Sequence, residues 1–238
     1  MGTGMTELLV SIRSTDELAV LPQNSVAIVD VKEPSAGSLG PASPDQWRLI
    51  ATKIDDDSDL SLALGELSAF DPKIIGQIPI RTRFAKIGLA GMTGKCWSES
   101  WLQLRSALCE SKTELVLVVY ADAELCQAPN PDDLLKFAIE NRCETVLVDT
   151  YVKSGRSLLD HWSNDEIKNW VSKLHEHGIV SVLAGSLSQE SIESLRDLDV
   201  DYVAVRGAVC DENRSGDLVP QRVRNLTRLL KQNSLAVD

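Results

Sequence analysis

The chain has 238 residues, 43% of them hydrophobic and 25% charged, with a formal net charge of −11 at pH 7. That length fits one eight-fold α/β barrel of roughly 250 residues and suffices for a sizeable core. No apolar run approaches the ~20 residues of a membrane span, and the acidic excess disfavours nucleic acid and anionic membranes as partners, although it says little about a small anion in a locally basic pocket.

Residues 1–5 lack the basic flank and apolar stretch of a signal peptide, so a short disordered lead into a soluble, cytoplasmic protein is expected, with a flexible tail at 232–238. Five scattered cysteines (Cys96, Cys109, Cys126, Cys143, Cys210) form no CxxC pair and read as reduced thiols. His175 and His177, two apart on a predicted helix, face different ways, and His161 stands alone, so no transition-metal site is read.

In chain order, β-branched and aliphatic runs alternate with stretches of helical periodicity. Strand Glu7–Ile12 leads to a helix at Thr15–Leu21 capped by Ser14, and strand Ala27–Lys32 to a helix at Pro44–Thr52 capped by Ser43. The acidic run Asp55-Asp56-Asp57-Ser58-Asp59 lacks the spaced ligands and glycine of a calcium loop and reads as a solvated connection into strand Leu60–Glu66. Helix Ser68–Ile78, strand Phe84–Leu89 and helix Ser98–Ser111 follow, then strand Glu114–Tyr120 and helix Pro131–Asn141 behind Asn130. Strand Thr145–Thr150 precedes helix Asn164–Glu176, which starts at Ser163 and stops at Gly178. Strand Ser181–Ala184 with helix Gln189–Asp197, and strand Asp201–Arg206 with helix Pro220–Lys231, complete the series. Eight βα units without a linker predict a single-domain (β/α)8 TIM barrel over residues 1–238 rather than an open doubly wound sheet. The tryptophans Trp47, Trp97, Trp101, Trp162 and Trp170 fall mainly on or beside helices and are assigned to packing.

A barrel interior is normally filled by Val, Ile and Leu, so charged residues in strand patterns are informative. In Ile28-Val29-Asp30-Val31-Lys32, alternation puts Asp30 and Lys32 on one face near the C-terminal rim, followed by the turn-rich loop from Glu33 to Gly40. The fourth strand supplies Lys86, and the sixth supplies Asp149 and Lys153. A lysine among other cations in a partly desolvated site loses proton affinity, so its free amine can attack a carbonyl, while aspartates orient amines or carry protons. The plain alternative for each lysine is a strand-end group reaching solvent or pairing with a carboxylate; three together weaken it. After the seventh and eighth strands, Gly185, Ser186, Arg206 and Gly207 bring small residues, backbone N–H groups and a cation to the place where barrels commonly hold phosphate.

At Val29-Asp30-Val31-Lys32-Glu33-Pro34 with Gly37-Ser38-Leu39-Gly40, and again at Lys86-Ile87-Gly88, the sequence resembles the (5-formylfuran-3-yl)methyl phosphate synthase family. The likeness continues from Leu8 to Arg13, through Val148-Asp149-Thr150 and Lys153, to Arg206-Gly207-Ala208-Val209-Cys210. It implies a lyase of methanofuran biosynthesis that condenses two molecules of glyceraldehyde 3-phosphate, releases phosphate and water, and uses no metal or organic cofactor. By the same resemblance Lys32 forms the Schiff base and Lys86 moves protons, with Asp30, Asp149 and Lys153 assisting. Two other readings share these residues: a Schiff-base aldolase for another sugar phosphate, and a non-catalytic barrel that senses a phosphorylated metabolite. A homo-oligomer is expected because barrels often associate through helix faces.

Overall fold

A computed structural model describes residues 6–231. Eight strands run parallel and pair in chain order, with the eighth closing on the first. They are β1 Glu7–Ile12, β2 Ile28–Val31, β3 Asp59–Glu66, β4 Thr82–Gly88, β5 Glu114–Tyr120, β6 Thr145–Asp149, β7 Val180–Leu183 and β8 Tyr202–Val205. The helices are α1 Thr15–Ala19, α2 Pro44–Ala51, α3 Trp97–Cys109, α4 Ala123–Cys126, α5 Pro131–Glu140, α6 Asn164–Glu176, α7 Gln189–Ser194 and α8 Pro220–Lys231. The single barrel read from the sequence is the observed fold. The predicted lead at 1–5 and tail at 232–238 lie outside the described residues. No helix among the described residues is long and apolar enough to cross a membrane.

Strand alternation divides the apolar residues between two clusters. One contains Leu9, Ile28, Val116, Leu147, Val182 and Ala204 and fills the barrel. The other contains Val10, Val29, Leu62 and Val148 together with Trp47 and Trp101, and lies between strands and helices. Fully burying one such side chain contributes roughly 1.5–3 kcal/mol, so the outer layer holds the helices on the sheet. Helix entry is fixed locally: Ser14, Ser43, Asn130 and Ser163 each accept a backbone N–H from the first turn. Gly178, at φ +69°, ends α6 in the left-handed conformation.

The predicted helix Ser68–Ile78 is replaced by two 3-10 segments, Leu67–Ala69 and Pro72–Gln77. Pro72 disfavours helical backbone at Asp71, and Phe70 and Asp71 are extended. A short helix the sequence reading missed, α4, sits between β5 and α5. Strand β2 ends at Val31, so Lys32 is the first residue beyond it; its N–H still donates to the Ile12 carbonyl at 3.0 Å. Likewise β6 ends at Asp149, and Lys153 lies in the following loop rather than on the strand. The acidic run is a loop whose last member, Asp59, opens β3, while Asp56 pairs with Arg81 at 3.0 Å. All five cysteines are unpaired.

Candidate active site

The interior register assembles the site. Ser11 of β1 stands opposite Asp30 of β2, and Asp30 opposite Ser61 of β3. Both serine hydroxyls donate to the Asp30 carboxylate at 2.9 Å, and Lys86 of β4 approaches it at 2.7 Å. Asp30 is 0% exposed and Lys86 3%, so the pair is a desolvated one in which each partner compensates the other.

One layer further toward the C-terminal mouth, Asp149 receives Lys153 Nζ at 2.8 Å, the Ser38 hydroxyl at 2.8 Å and the Thr150 N–H at 2.8 Å. Burial alone would raise the Asp149 carboxyl, but Lys153 and Lys32, with these hydrogen bonds, bring it down to about 2. Ser38 arrives from the loop after β2, whose ends are joined by the Glu33 N–H donating to the Gly40 carbonyl at 2.8 Å. A side chain at residue 40 would meet the Glu33 carbonyl oxygen at 2.3 Å, which is why the return requires glycine. The loop thus crosses the mouth and docks on β6.

Lys32 differs from the other two lysines. Lys86 has Asp30 and Lys153 has Asp149, whereas the Lys32 ammonium has no carboxylate within 4.0 Å among the described residues and reaches the Ser38 carbonyl at 3.4 Å. Burial pushes its pKa down to about 7; Asp149 and Asp30 oppose the shift, and Lys86 and Lys153 add to it. A substantial fraction of the side chain is therefore free amine at neutral pH.

Lys32, Lys86, Asp149 and Lys153 border a cavity of about 470 Å³ whose far wall is made by Gly185, Ser186, Arg206 and Gly207. The structure thus brings all the sequence-predicted positions together, with Asp30 just beneath the cavity floor. A second cavity, of about 430 Å³ beside Glu7, Ser25 and Asp57, lies away from these groups. Gly185 is at φ +95°, and Thr150 and Leu158 pack against its α-carbon, so the β7 loop passes close beneath the loop after β6.

Arg206 needs correction. Its five N–H donors are all taken inside the protein: two reach Glu17, at 2.5 and 2.8 Å, and the others reach carbonyls of Ser11, Arg214 and Gly216. Burial works to raise the Glu17 carboxyl, but the Arg206 and Arg13 contacts hold it below its ordinary range. Arg206 lines the cavity as structure and has no donor left for a bound phosphate.

Two further sets of groups escaped the sequence reading. Ser11 and Ser61 carried a signal, as inward hydroxyls in otherwise aliphatic strands. Glu66 carried none: a register shift between Ala63 and Glu66 interrupts the alternation and brings its carboxylate to Tyr120, whose hydroxyl donates at 2.6 Å. Burial raises both the Glu66 carboxyl and, more strongly, the Tyr120 phenol.

This fold and this cavity define a (β/α)8-barrel enzyme with an amine-rich site at the C-terminal mouth. A family model described as 4-HFC-P synthase matches residues 8–227, and the chain belongs to that family. Among curated relatives, (5-formylfuran-3-yl)methyl phosphate synthase of Methanopyrus kandleri is 34% identical over 236 residues, covering 94% of this chain and 98% of the relative. The synthase of the same name from Methanocaldococcus jannaschii is 28% identical, covering 94% and 99%. Solved structures share the fold at lower identity. KGPDC from Streptococcus mutans superposes with a TM-score of 0.62 at 14% identity, over 95% of this chain and 99% of that one. Phosphoribosyl anthranilate isomerase from Thermus thermophilus gives 0.63 at 12%, over 95% and 99%.

The pairings set the expected stability of two variants. Arg206→Met removes the two-pronged partner of Glu17, leaves it only the Arg13 contacts and frees the loop carbonyls Arg206 held; it is expected to cost about 3 kcal/mol, measured as a lowered urea midpoint, and a change below about 0.5 kcal/mol would contradict the assignment. Lys32→Met acts oppositely. Because the folded pKa of Lys32 is depressed, its cost to the fold is full below pH 7, where both states are protonated, and fades as pH rises toward the ordinary lysine range. The variant should melt roughly 5 °C above the parent at pH 6 and nearer to it at pH 9 by scanning calorimetry; an equal or lower melting temperature at pH 6 argues against the depressed pKa.

Proposed function

We propose that the protein condenses two molecules of glyceraldehyde 3-phosphate into (5-formylfuran-3-yl)methyl phosphate, as a step of methanofuran biosynthesis, through a Schiff base on Lys32. The observation that carries this reading is the contrast among the three lysines: two are matched to carboxylates and one is an uncommitted, desolvated amine. Membership of the 4-HFC-P synthase family supplies the identity of the product.

In this mechanism Lys32 Nζ attacks the aldehyde carbon of the first triose phosphate to give a carbinolamine. The Lys86 ammonium, held by Asp30, donates a proton to the departing hydroxyl, which leaves as water and generates the iminium. The Lys86 amine so formed takes the proton from the adjacent carbon, made acidic by the iminium. The electron pair left there expels phosphate from the third carbon. The anchored three-carbon fragment joins a second triose phosphate, and dehydration of the six-carbon chain yields the aromatic furan, freed when water cleaves its imine. The net change releases one phosphate and two waters, and no oxidant or reductant enters the balance. Asp149 holds Lys153 in place at 2.8 Å, where the two position the incoming phosphorylated partner and balance charge as phosphate leaves.

The decisive experiment incubates the purified protein with glyceraldehyde 3-phosphate alone and follows furan absorbance, released phosphate and product mass. A furan phosphate supports the reading; unchanged triose phosphate overturns it. Borohydride with substrate should add a reduced adduct at Lys32, which a purely sensing barrel would not acquire. Lys32→Ala should abolish turnover with the fold intact, and Lys32→Arg should fail as well, because a guanidinium forms no iminium. The logarithm of kcat/KM should rise with unit slope below pH 7 and level above it as the Lys32 amine becomes free; a flat profile from pH 5 to 8 would count against Lys32 as nucleophile.

A further inference from the structure

The cavity has two arginines on the wall beyond β8, and they are in opposite states. Arg206 has every donor engaged. Arg214 is half-buried and lines the same cavity, yet among the described residues its side chain makes only one hydrogen bond, from Nη2 to the Gly37 carbonyl at 2.7 Å. No carboxylate lies within 4.0 Å of its guanidinium among the described residues, although Glu212 also borders the cavity. A partly desolvated cation with four unused N–H donors is a costly arrangement unless an anion completes it.

The loop that carries Arg214 is held by other groups. The Arg214 carbonyl accepts from Arg206 Nε at 2.8 Å, the Gly216 carbonyl accepts from Arg206 Nη2 at 2.8 Å, and Arg13 reaches the Ser215 carbonyl at 2.7 Å and Asp217 at 3.0 Å. The Asp211 carboxylate accepts the N–H groups of Glu212 and Asp217 and closes the turn. Two arginines and an aspartate thus fix the backbone, leaving the third arginine's fork unassigned. Opposite it, the backbone N–H groups of Gly185, Ser186 and Gly207 find no acceptor among the described residues. Gly207 lies against Arg214, whose Cβ would stand 3.9 Å from a side chain at residue 207.

We infer that Arg214, rather than Arg206, is the residue that recognises the phosphate group of the substrate, together with the N–H groups of Gly185, Ser186 and Gly207. The planar fork suits two phosphate oxygens, and the bond to the Gly37 carbonyl links the phosphate-binding loop to the loop following Lys32. A phosphate held there places the rest of a three-carbon aldehyde in the cavity that Lys32 borders. The assignment rests on the reading of the substrate as a phosphorylated aldehyde, and it adds the residue that makes the site select for phosphate.

The test separates the two ideas. Inorganic phosphate is titrated into wild type, Arg214→Met and Arg214→Lys by isothermal calorimetry, with melting temperatures recorded without ligand. The expected result is phosphate binding by wild type, a loss of roughly ten-fold or more in Arg214→Met with an unliganded melting temperature no lower than that of wild type, and partial recovery in Arg214→Lys, which restores charge without the fork. In parallel, borohydride capture is run with glyceraldehyde and with glyceraldehyde 3-phosphate. Arg214→Met should need roughly ten-fold more of the phosphorylated aldehyde for half-labelling and the same amount of glyceraldehyde. Equal phosphate affinity in wild type and Arg214→Met, or no phosphate binding by wild type, overturns the role of Arg214. Absence of labelling by either aldehyde overturns the Schiff-base reading alone, since calorimetry reports on phosphate without it.

Discussion

A carboxylate buried in the centre of a barrel is stable only if everything around it answers its charge, and Asp30 sets that requirement for the whole site. Two serine hydroxyls and the Lys86 ammonium meet it, delivered by the strands on either side and the one beyond. Because Asp30 is satisfied by Lys86, it is not claimed by Lys32, its neighbour two residues along on the same face. The same division repeats at the mouth, where Lys153 answers Asp149. The two matched pairs create a region of near-neutral charge in which one further lysine is held without a partner of its own. Its low proton affinity is then a product of burial that the nearby carboxylates only partly offset.

The far side of the cavity follows a parallel logic with arginines. Glu17 on α1 lies buried, and Arg206 and Arg13 both turn toward it. In doing so they carry the loop after β8 into place, because their remaining donors hold its carbonyl groups. Cations that serve the fold and cations that remain open to a ligand are therefore distinguished by how many of their donors are already occupied.

Much of this was legible in the chain. Strict alternation in Ile28-Val29-Asp30-Val31-Lys32 placed two charged residues inside a barrel, and the spacing of eight βα units supplied the frame that made inside and outside meaningful. The failures have physical causes. Arg206 stands where a phosphate ligand is expected, but its actual partner, Glu17, is 189 positions away in sequence, a contact that no local pattern reveals. Arg214, for which a phosphate-binding role is proposed, lies in a loop with no periodicity to orient it. Residues 68–78 have apolar spacing suited to a helix, yet Pro72 disfavours helical backbone at its predecessor. Glu66 reaches Tyr120 only because the alternation slips near the end of β3.

The groups that surround Asp30 also have a common place in the chain. Ser11, Ser61 and Lys86, like Asp30 itself, belong to the first four strands, whereas Asp149, Gly185, Gly207 and Arg214 belong to the last three and their loops. A nascent chain emerging from its N-terminus therefore carries the complete polar lining of its deepest carboxylate before the second half of the barrel has been made. What the later strands add is the wall that shuts water out and the far bank of the cavity. The unpaired amine and the buried lysine–aspartate pair come from one half of the molecule and the surface proposed to hold the phosphate from the other, so a substrate bridging them would touch both halves at once.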